Sequence, residues 1–403
     1  MRKILLLGGS AQQLVAIEKA KELGYYTVLC DYLLDNPGQY IADKFYPVST
    51  TDCESLYSIA KKEQVEGILA YASDPAALPA AIVAEKLNLP TNPVESVKIL
   101  GLKHHWRSFL KDNNFACPQH FQFESNILIE ELVKEIEEFS LPLVVKPTDS
   151  SGSKGVSIIK EIEELNKAVS YAKSYSRNNE LIIEEYIERS FPSVIGGDIF
   201  VWEGKIVLFG LMECLRDLTN SPLIPIGKKK PLLVSEDEES LIKSELQRVI
   251  TTLGIRFGEL NVEILLDKNH KVHFLELGPR AGGNMIPIQL SDAYGIDLVE
   301  ANVKAAMGEV PSFLNKSLSV KSGCYMHYVL HSYNSGNFRG VSIDKSIEDK
   351  VYRKVIYKKE GDKIEYFDGA GKAIGIIFLH FNNEDEMEFF CRNHNSLVNI
   401  ELK

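Results

Sequence analysis

A lysine at the end of an apolar run, followed by small residues, could hold a phosphate group. Lys146 follows the apolar residues 143–145, so this cation is expected at the end of a buried strand. The segment 150–155 (SSGSKG) comes next, and small residues let successive backbone N–H groups approach phosphate oxygens closely. The segment lacks the GxxxxGK[ST] order of a P-loop. Alone it fits an ordinary hairpin turn equally well, but Lys146 favours a phosphate site.

Two glutamates lie inside apolar segments farther along the chain. Glu263 and Glu276 flank the turn-forming residues 267–270 (DKNH), and a hairpin about this turn can place them as neighbours on one face. A carboxylate within an apolar strand is costly unless a cation compensates it. Two carboxylates near a phosphate loop are typical of bound Mg²⁺, and two solvent-facing side chains are the alternative. Arg280, four residues after Glu276, could stabilise a phosphoryl group in transfer.

Alternating strand and helix signals in the first quarter of the chain predict part of the scaffold. Apolar strand segments are expected at 3–7, 27–32 and 66–71, with helical stretches at about 12–23 and 76–87. Strands that alternate with helices form a parallel sheet with helices on both faces. An α/β unit of Rossmann type is therefore predicted over residues 1–95.

The rest of the chain mixes helices with longer strand-rich segments. Helices are expected at 96–113 and near 236–253, strands at 141–147, 155–160 and 180–187, strand-rich segments at 194–212 and 257–277, and a polar loop at 213–231. Residues 311–403 have mainly β patterns. This part of the chain is predicted to be α+β.

Composition and charge narrow the functional classes. A formal net charge of −11 argues against nucleic acid or an anionic membrane as the main partner, since both require a basic face. Six cysteines without a CxxC pair predict neither a zinc site nor a disulfide framework, and they fit a reducing cytoplasm. Apolar runs of the length that a membrane span requires are lacking. A cytoplasmic enzyme acting on small molecules is expected.

In this combination the sequence resembles the ATP-grasp ligases, a family that includes biotin carboxylase, carbamoyl-phosphate synthase and purine-pathway enzymes. The resemblance covers roughly residues 1–310 and rests on the order and spacing of several motifs. It implies a Rossmann-like pre-ATP-grasp domain (1–95) and a two-lobed ATP-grasp domain (96–310). The lid of the latter would lie at about 115–187, and a smaller, mainly β subdomain would follow at 311–403.

The resemblance implies that two lysines and one loop hold the triphosphate. Lys103, in GLKHHWRSFL, and Lys146 would be the two nucleotide lysines. The loop 150–155 would close over the phosphates. Its candidate contacts are Ser151, Gly152, Lys154 and Gly155.

The segment EEYI would be the adenine hinge according to the same resemblance. Backbone groups of Glu185 and Ile187 would hold the base, together with the carboxylate of Glu184. The family often has a glutamate for the ribose a few residues later, where this chain has Phe191. Glu188 is the candidate that could substitute for it.

The two strand glutamates match the metal-binding carboxylates of the family. Glu263 and Glu276 would bind Mg²⁺, with Mn²⁺ as an alternative, and Arg280 would lie near the acyl phosphate. The family's Glu-x-Asn-x-Arg is here Glu276-Leu-Gly278-Pro-Arg280. Because the asparagine is missing, fewer protein groups are expected to hold a second metal ion.

The implied reaction is the activation of a carboxylate as an acyl phosphate and its transfer to an amine, giving ADP and phosphate. A purine-pathway or carbamoyl-phosphate-synthase-like enzyme would share the ATP site, and a weakly active nucleotide-binding regulatory protein is a further alternative. The alternative of an NAD-dependent oxidoreductase is supported only by Gly8-Gly9-Ser10 and Asp31, and the full G-x-G-x-x-G motif is missing. The expected partners are a small carboxylate and an amine, without nucleic acid or membrane, and a homodimer stays open.

Overall fold

The computed structural model describes residues 1–150, 152–218 and 220–403. Its α-helices in chain order are α1 Leu14–Glu22, α2 Cys53–Glu63, α3 Asp74–Lys86, α4 Val94–Gly101, α5 Lys103–Asp112, α6 Ile129–Glu135, α7 Leu165–Lys173, α8 Glu236–Leu253, α9 Ile286–Tyr294, α10 Leu298–Ala306 and α11 Glu384–Leu397. Within the described ranges, none of these helices has both the length and the apolar character that a membrane span requires.

The strands are numbered in the same way. They are β1 Lys3–Leu7, β2 Tyr26–Cys30, β3 Lys44–Tyr46, β4 Gly67–Leu69, β5 His120–Glu124, β6 Leu143–Pro147, β7 Ser157–Ile159, β8 Glu180–Glu185, β9 Ile195–Trp202, β10 Lys205–Asp217, β11 Ser221–Lys230, β12 Phe257–Leu266, β13 Val272–Gly278, β14 Cys324–Leu330, β15 Gly336–Ile343, β16 Val351–Ile356, β17 Lys363–Ile364, β18 Gly375–Phe381 and β19 Val398–Leu402.

The chain forms two compact units, each discontinuous in sequence. One contains residues 1–97, 195–262 and 277–403, and the other contains residues 98–194 and 263–276. The division falls inside β12 and β13, so Glu263 and Glu276 are counted with the second unit and Arg280 with the first. The three-domain division expected from the sequence stays a prediction.

The first unit begins with a parallel sheet of order β3-β2-β1-β4. Side chains alternate between the two faces of β1, and both faces are buried. Ile4 and Leu6 pack against α1 and α10, whereas Leu5 and Leu7 pack against α2 and α3. The α/β pattern expected near the N-terminus is confirmed.

A larger sheet has the order β13-β12-β9-β10-β11-β14-β18-β16, and its six strands from β9 to β16 in that order belong to the first unit. Its pairs from β9 to β16 are antiparallel. The C-terminal residues also form a three-stranded sheet, β17-β15-β19. Met387 and Phe390 of α11 belong to the apolar core that includes residues of β14 and β18. The C-terminal part is thus mainly β, as expected, with one helix.

The second unit contains an antiparallel sheet of order β5-β8-β6-β7. Its core joins Val145 of β6 and Ile183 of β8 to Leu132 of α6 and Val169 of α7. Because β6 and β8 are antiparallel, the end of β8 lies beside the start of β6, with Leu143 opposite Glu185 and Val144 opposite Glu184. This pairing brings Lys146 and the hinge segment into one place.

Two local expectations are wrong. Residues 213–231 are not a loop, because β10 and β11 pair from Glu213–Lys229 to Asp217–Ser221. The single helix expected at 96–113 is interrupted at Leu102, whose backbone is extended at φ −126° and ψ 119°. Gly101 precedes this break, and glycine disfavours continued helix.

Candidate active site

Lys103 is fixed beside the start of the predicted phosphate loop. Because Leu102 is extended, the Lys103 amide lies at the start of α5 and donates to the carbonyl of Thr148 at 3.0 Å. The Lys103 ammonium donates to the carbonyl of Ser150. Both ends of this lysine therefore contact the segment that leads into the loop.

The described part of the phosphate loop is a tight turn. Gly152, Ser153 and Gly155 all have positive φ, at 67°, 60° and 72°. A Cβ on Gly155 would lie 2.8 Å from Cγ of Pro147, so the loop can return to β7 only with glycine there. Lys154 is exposed, and Ser151 lies outside the described residues.

Lys146 belongs to a buried cluster of three charges. Its Nζ donates to Oε2 of Glu184 at 2.6 Å, and Nε of Arg107 donates to Oε1 of the same carboxylate at 2.7 Å. The side chains of Arg107 and Glu184 are 1% and 4% exposed. Two cations on one carboxylate leave the cluster with an excess positive charge, which suits a phosphate ligand.

Burial and neighbouring charge shift the protonation of this cluster. Burial lowers the pKa of Lys146 to about 8, and the positive charge of Arg107 acts in the same direction. Burial opposes ionisation of Glu184, but the charges of Arg107 and Lys146 outweigh it and lower the pKa of Glu184 to about 2. Glu184 is therefore an ionised acceptor at neutral pH, whereas the pKa of Lys146 lies close to neutral pH.

The predicted adenine hinge, residues 184–187, has one amide that no described residue accepts from. The Glu185 amide donates to the Gln119 carbonyl at 3.0 Å, and the Tyr186 amide donates to the Pro142 carbonyl at 2.9 Å. Among the described residues, none accepts a hydrogen bond from the Ile187 amide. Since β8 ends at Glu185, the chain leaves the sheet where the base would bind.

Glu188, the expected ribose contact, is occupied by another interaction. Its carboxylate pairs with the ammonium of Lys268, and both side chains are mostly exposed. An exposed pair of this kind is weak, so a ligand can displace it. The ribose role of Glu188 stays a prediction.

The two predicted metal ligands lie on neighbouring strands. Glu263 is on β12 and Glu276 is on β13, which are adjacent in the sheet. Both side chains are partly exposed. In the part of the chain that the structure describes, His, Cys, Asp and Glu side chains do not converge in threes as a ready-made metal site. Two carboxylates completed by substrate phosphates fit Mg²⁺, which keeps few protein ligands.

Arg280 is held in the first unit by a carboxylate. Its Nε and Nη2 lie 2.7 and 2.6 Å from Oδ1 of Asp74, at the start of α3. The Arg280 side chain is 10% exposed and that of Asp74 is 31% exposed. The guanidinium is thus oriented by the Asp74 carboxylate.

Asp198 holds the glycine segment that follows Arg280. Its carboxylate accepts from the Gly282 amide and from Nδ2 of Asn261, both at 2.8 Å. A Cβ at Gly282 would lie 2.5 Å from Oδ1 of Asp198. Burial raises the pKa of Asp198, and the neighbouring carboxyl Glu259 interacts electrostatically with it. Asp198 therefore fixes the backbone from which Arg280 extends.

The sequence reasoning missed Arg107 and Asp198. A signal existed for Arg107, because it lies four residues after Lys103, on the same face of a helix. For Asp198 the signal was a carboxylate within the apolar segment 195–202 (IGGDIFVW).

A family model described as "Carbamoyl-phosphate synthase L chain, ATP binding domain" matches residues 103–312. This is more than half of the 403 residues, and the chain belongs to this ATP-grasp family. It is an ATP-dependent ligase of the class that joins a carboxylate to an amine.

Individual known proteins are similar to this chain over most of its length. A formate-dependent phosphoribosylglycinamide formyltransferase from Bacteroides thetaiotaomicron is 25% identical over 411 residues, covering 94% of each chain. An L-amino acid ligase from Bacillus licheniformis has a TM-score of 0.84 at 20% identity, with 100% of this chain and 99% of that one covered.

A third relative was solved with a nucleotide. The biotin carboxylase domain dimer of Hydrogenobacter thermophilus 2-oxoglutarate carboxylase, in complex with MgADP, ADP and bicarbonate, has a TM-score of 0.77 at 16% identity. It covers 100% of this chain, which covers 91% of it. Likeness to the two solved structures, at such identities, shows the shared fold.

Proposed function

We propose that this enzyme uses Mg-ATP to convert a small carboxylate into an acyl phosphate, which an amine then attacks. The buried cluster of Lys146, Glu184 and Arg107 is the observation that carries the proposal. It places an excess positive charge where a β-strand ends beside a turn of small residues. The adjacent hinge offers the Ile187 amide to a base. A nucleoside triphosphate matches this order of groups.

Each step of the proposed reaction has a group assigned to it. A carboxylate oxygen attacks the γ-phosphorus, and the bond from that phosphorus to ADP breaks. Lys103 and Lys146 neutralise the phosphate oxygens during this step. The nitrogen of a neutral amine then attacks the acyl carbon, phosphate leaves, and the nitrogen loses a proton. Arg280 would stabilise the acyl phosphate, and residues 150–155 would exclude water.

Glu263 and Glu276 would hold Mg²⁺, or Mn²⁺ in its place. When bound, the ion supplies charge neutralisation for the transferring phosphoryl group. Lysine and metal charges together allow two anions, the carboxylate and the triphosphate, to approach each other.

The proposed substrates are small molecules. Formate is the first acid to test, because it appears in the name of the Bacteroides relative. Amino acids come second, because the Bacillus structure is an L-amino acid ligase. We retain a homodimer and a cytoplasmic location as predictions, and the six free cysteines of the described structure support a reducing compartment.

Trapping with hydroxylamine tests the reaction class directly. The enzyme is incubated with Mg-ATP, hydroxylamine and single acids from a panel that starts with formate and amino acids. The expected result is a hydroxamate formed together with ADP. Repeating the reaction with an amine in place of hydroxylamine should give an amide.

Other products would contradict the proposal. AMP with pyrophosphate would assign an adenylating enzyme to the same ATP site. A phosphorylated product that is stable without any amine would assign a kinase. The Lys146→Ala variant is the control, because it should form neither ADP nor hydroxamate.

A further inference from the structure

Arg107 has no hydrogen-bond donor left for a ligand. Its Nε and Nη2 donate to the two oxygens of Glu184, at 2.7 and 3.4 Å. Its Nη1 donates to the carbonyls of Phe274 and Leu275 at 3.0 and 3.3 Å, and Nη2 also reaches the Leu275 carbonyl at 3.4 Å. With 1% of the side chain exposed, every N–H of the guanidinium faces the protein.

These contacts connect three elements of the proposed nucleotide site. The helix α5 carries Arg107 itself and begins with Lys103. The strand β8 carries the hinge carboxylate Glu184 one residue before its end, and β13 carries Glu276, one residue after the Leu275 carbonyl that Arg107 binds. The residues named on these elements all belong to the second unit.

We propose that Arg107 is a positioning residue that aligns the adenine hinge with the metal-binding strand without touching the nucleotide. The inference rests on the proposed function and deepens it. Arginine suits the role because its planar fork can bind a carboxylate on one side and carbonyl oxygens on another. A point charge such as lysine cannot reach both sets of acceptors at once.

A stabilising role alone does not require a cation at this place. Replacement of a buried ion network by apolar groups of similar volume is often neutral for stability. Glu184, however, must stay ionised and oriented if it is to accept a hydrogen bond from the base. Arg107 lowers the pKa of this carboxyl, against the effect of burial. The geometry therefore serves recognition as well as folding.

The test compares Arg107→Lys and Arg107→Met with the wild-type enzyme. Titration calorimetry measures the affinity for ADP and for GDP, each with and without Mg²⁺, and thermal unfolding is recorded in parallel. Lys111→Met is the matched control, because Lys111 is an exposed cation on the same helix. ADP binding needs no knowledge of the carboxylate or the amine.

The wild type and Lys111→Met are expected to bind Mg-ADP alike and to prefer it over Mg-GDP. Arg107→Lys should weaken ADP binding on the order of tenfold or more, since small misplacement of binding groups has large effects. Its preference for ADP over GDP and the increase in ADP affinity that Mg²⁺ causes should both become smaller. Both changes should appear at temperatures where the variant is folded.

Different results separate this inference from the proposed function. If the wild type binds neither ATP nor ADP, the proposed function fails. If the wild type binds and folded Arg107→Lys has unchanged affinity, base preference and Mg²⁺ gain, the positioning role is overturned. Loss of the fold in both Arg107 variants would assign a structural role alone and overturn it as well.

Discussion

Two buried carboxylate clusters, one in each compact unit, have pKa values that are shifted in opposite directions. In the second unit Glu184 lies between Arg107 and Lys146, which lower its pKa to about 2 against the effect of burial. In the first unit Asp198 meets neutral donors and a second carboxyl, Glu259, and burial raises the pKa of both. The cation-rich cluster keeps its charge and suits an anionic ligand. Burial disfavours negative charge on the carboxyl pair, and Asp198 of this pair fixes the backbone next to Arg280.

The largest expected effect tests the cation-rich cluster. Lys146→Ala should weaken ATP binding and lower turnover by on the order of 10²-fold or more, because it removes a buried cation from the phosphates. Phosphate release and ADP titration measure the two effects. Lys167→Ala, which changes an exposed lysine on α7, is the control. Near-normal turnover of Lys146→Ala would mean that this lysine is only a partner of Glu184.

A smaller effect concerns the metal. Glu263→Gln and Glu276→Gln should each raise the Mg²⁺ concentration needed for half-maximal activity by roughly tenfold or more, because a neutral amide is a poorer ligand for a hard cation. Thermal unfolding should stay close to wild type. Glu137→Gln, at an exposed position, controls for the loss of one carboxylate. An unchanged Mg²⁺ dependence in both variants would exclude these glutamates as ligands.

The pH dependence of ADP binding follows from Lys146. This ammonium faces Glu184, Arg107 and Lys103, and its pKa is lowered to about 8. If the ammonium form binds ADP, affinity should fall about tenfold between pH 7 and pH 9, and binding should take up a proton near pH 8. Calorimetry in buffers of different ionisation enthalpy measures the uptake. The same affinity at both pH values would contradict this assignment.

The contribution of Lys146 to folding stability should depend on pH in the opposite direction. The pKa of Lys146 is lower in the folded protein than its ordinary value of 10.5, so between about pH 8 and 10.5 the unfolded chain binds more protons. The burial penalty of Lys146 is therefore relieved as the pH rises through this range. ADP affinity and the contribution of this lysine to stability should move in opposite directions.

Local patterns in the sequence were sufficient for the fold class and for the order of the candidate nucleotide groups. Lys146 and the glycine-rich turn follow from a strand end and small residues, which are local features, whereas Lys103 was predicted from the family resemblance. Arg107 was missed because its partner Glu184 is 77 residues away, and no local pattern specifies such a pair. The contact of Gly282 with Asp198 spans 84 residues and was missed for the same reason.

The error at 213–231 has a related cause. Three consecutive lysines, 228–230, gave the segment a polar character that suggested a solvated loop. In the fold, Lys228 donates to Sγ of Cys214 at 3.0 Å and Lys229 pairs with Glu213 at 3.2 Å. Buried lysines on a strand depend on such partners, and the partners become visible only when β10 and β11 are paired.

The smallest expected effect tests the carboxyl pair. The substitution Glu259→Gln replaces one carboxyl group of the pair with an amide. In Glu259→Gln the new N–H can donate to Asp198 at every pH, and the remaining oxygen can still accept from Asn302, as Glu259 does. A raised folded pKa means that the folded protein keeps a proton that the unfolded chain releases above its ordinary value of 4.5. The stability that this proton supports is therefore lost as the pH rises from that value towards the folded pKa.

The variant should consequently lose less thermal stability than the wild type as the pH rises above about 4.5, by about 2 °C. Glu85→Gln, at an exposed position of α3, should follow the wild type. Glu184 supplies the contrast, because its lowered pKa makes its contribution present above about pH 4.5 and lost as the pH falls towards 2. Calorimetric melting of the wild type, Glu259→Gln and Glu85→Gln above pH 4.5 checks the sign for the carboxyl pair. Parallel curves for Glu259→Gln and wild type would mean that the two carboxyls do not share a proton, and the contrast between the two clusters would fail.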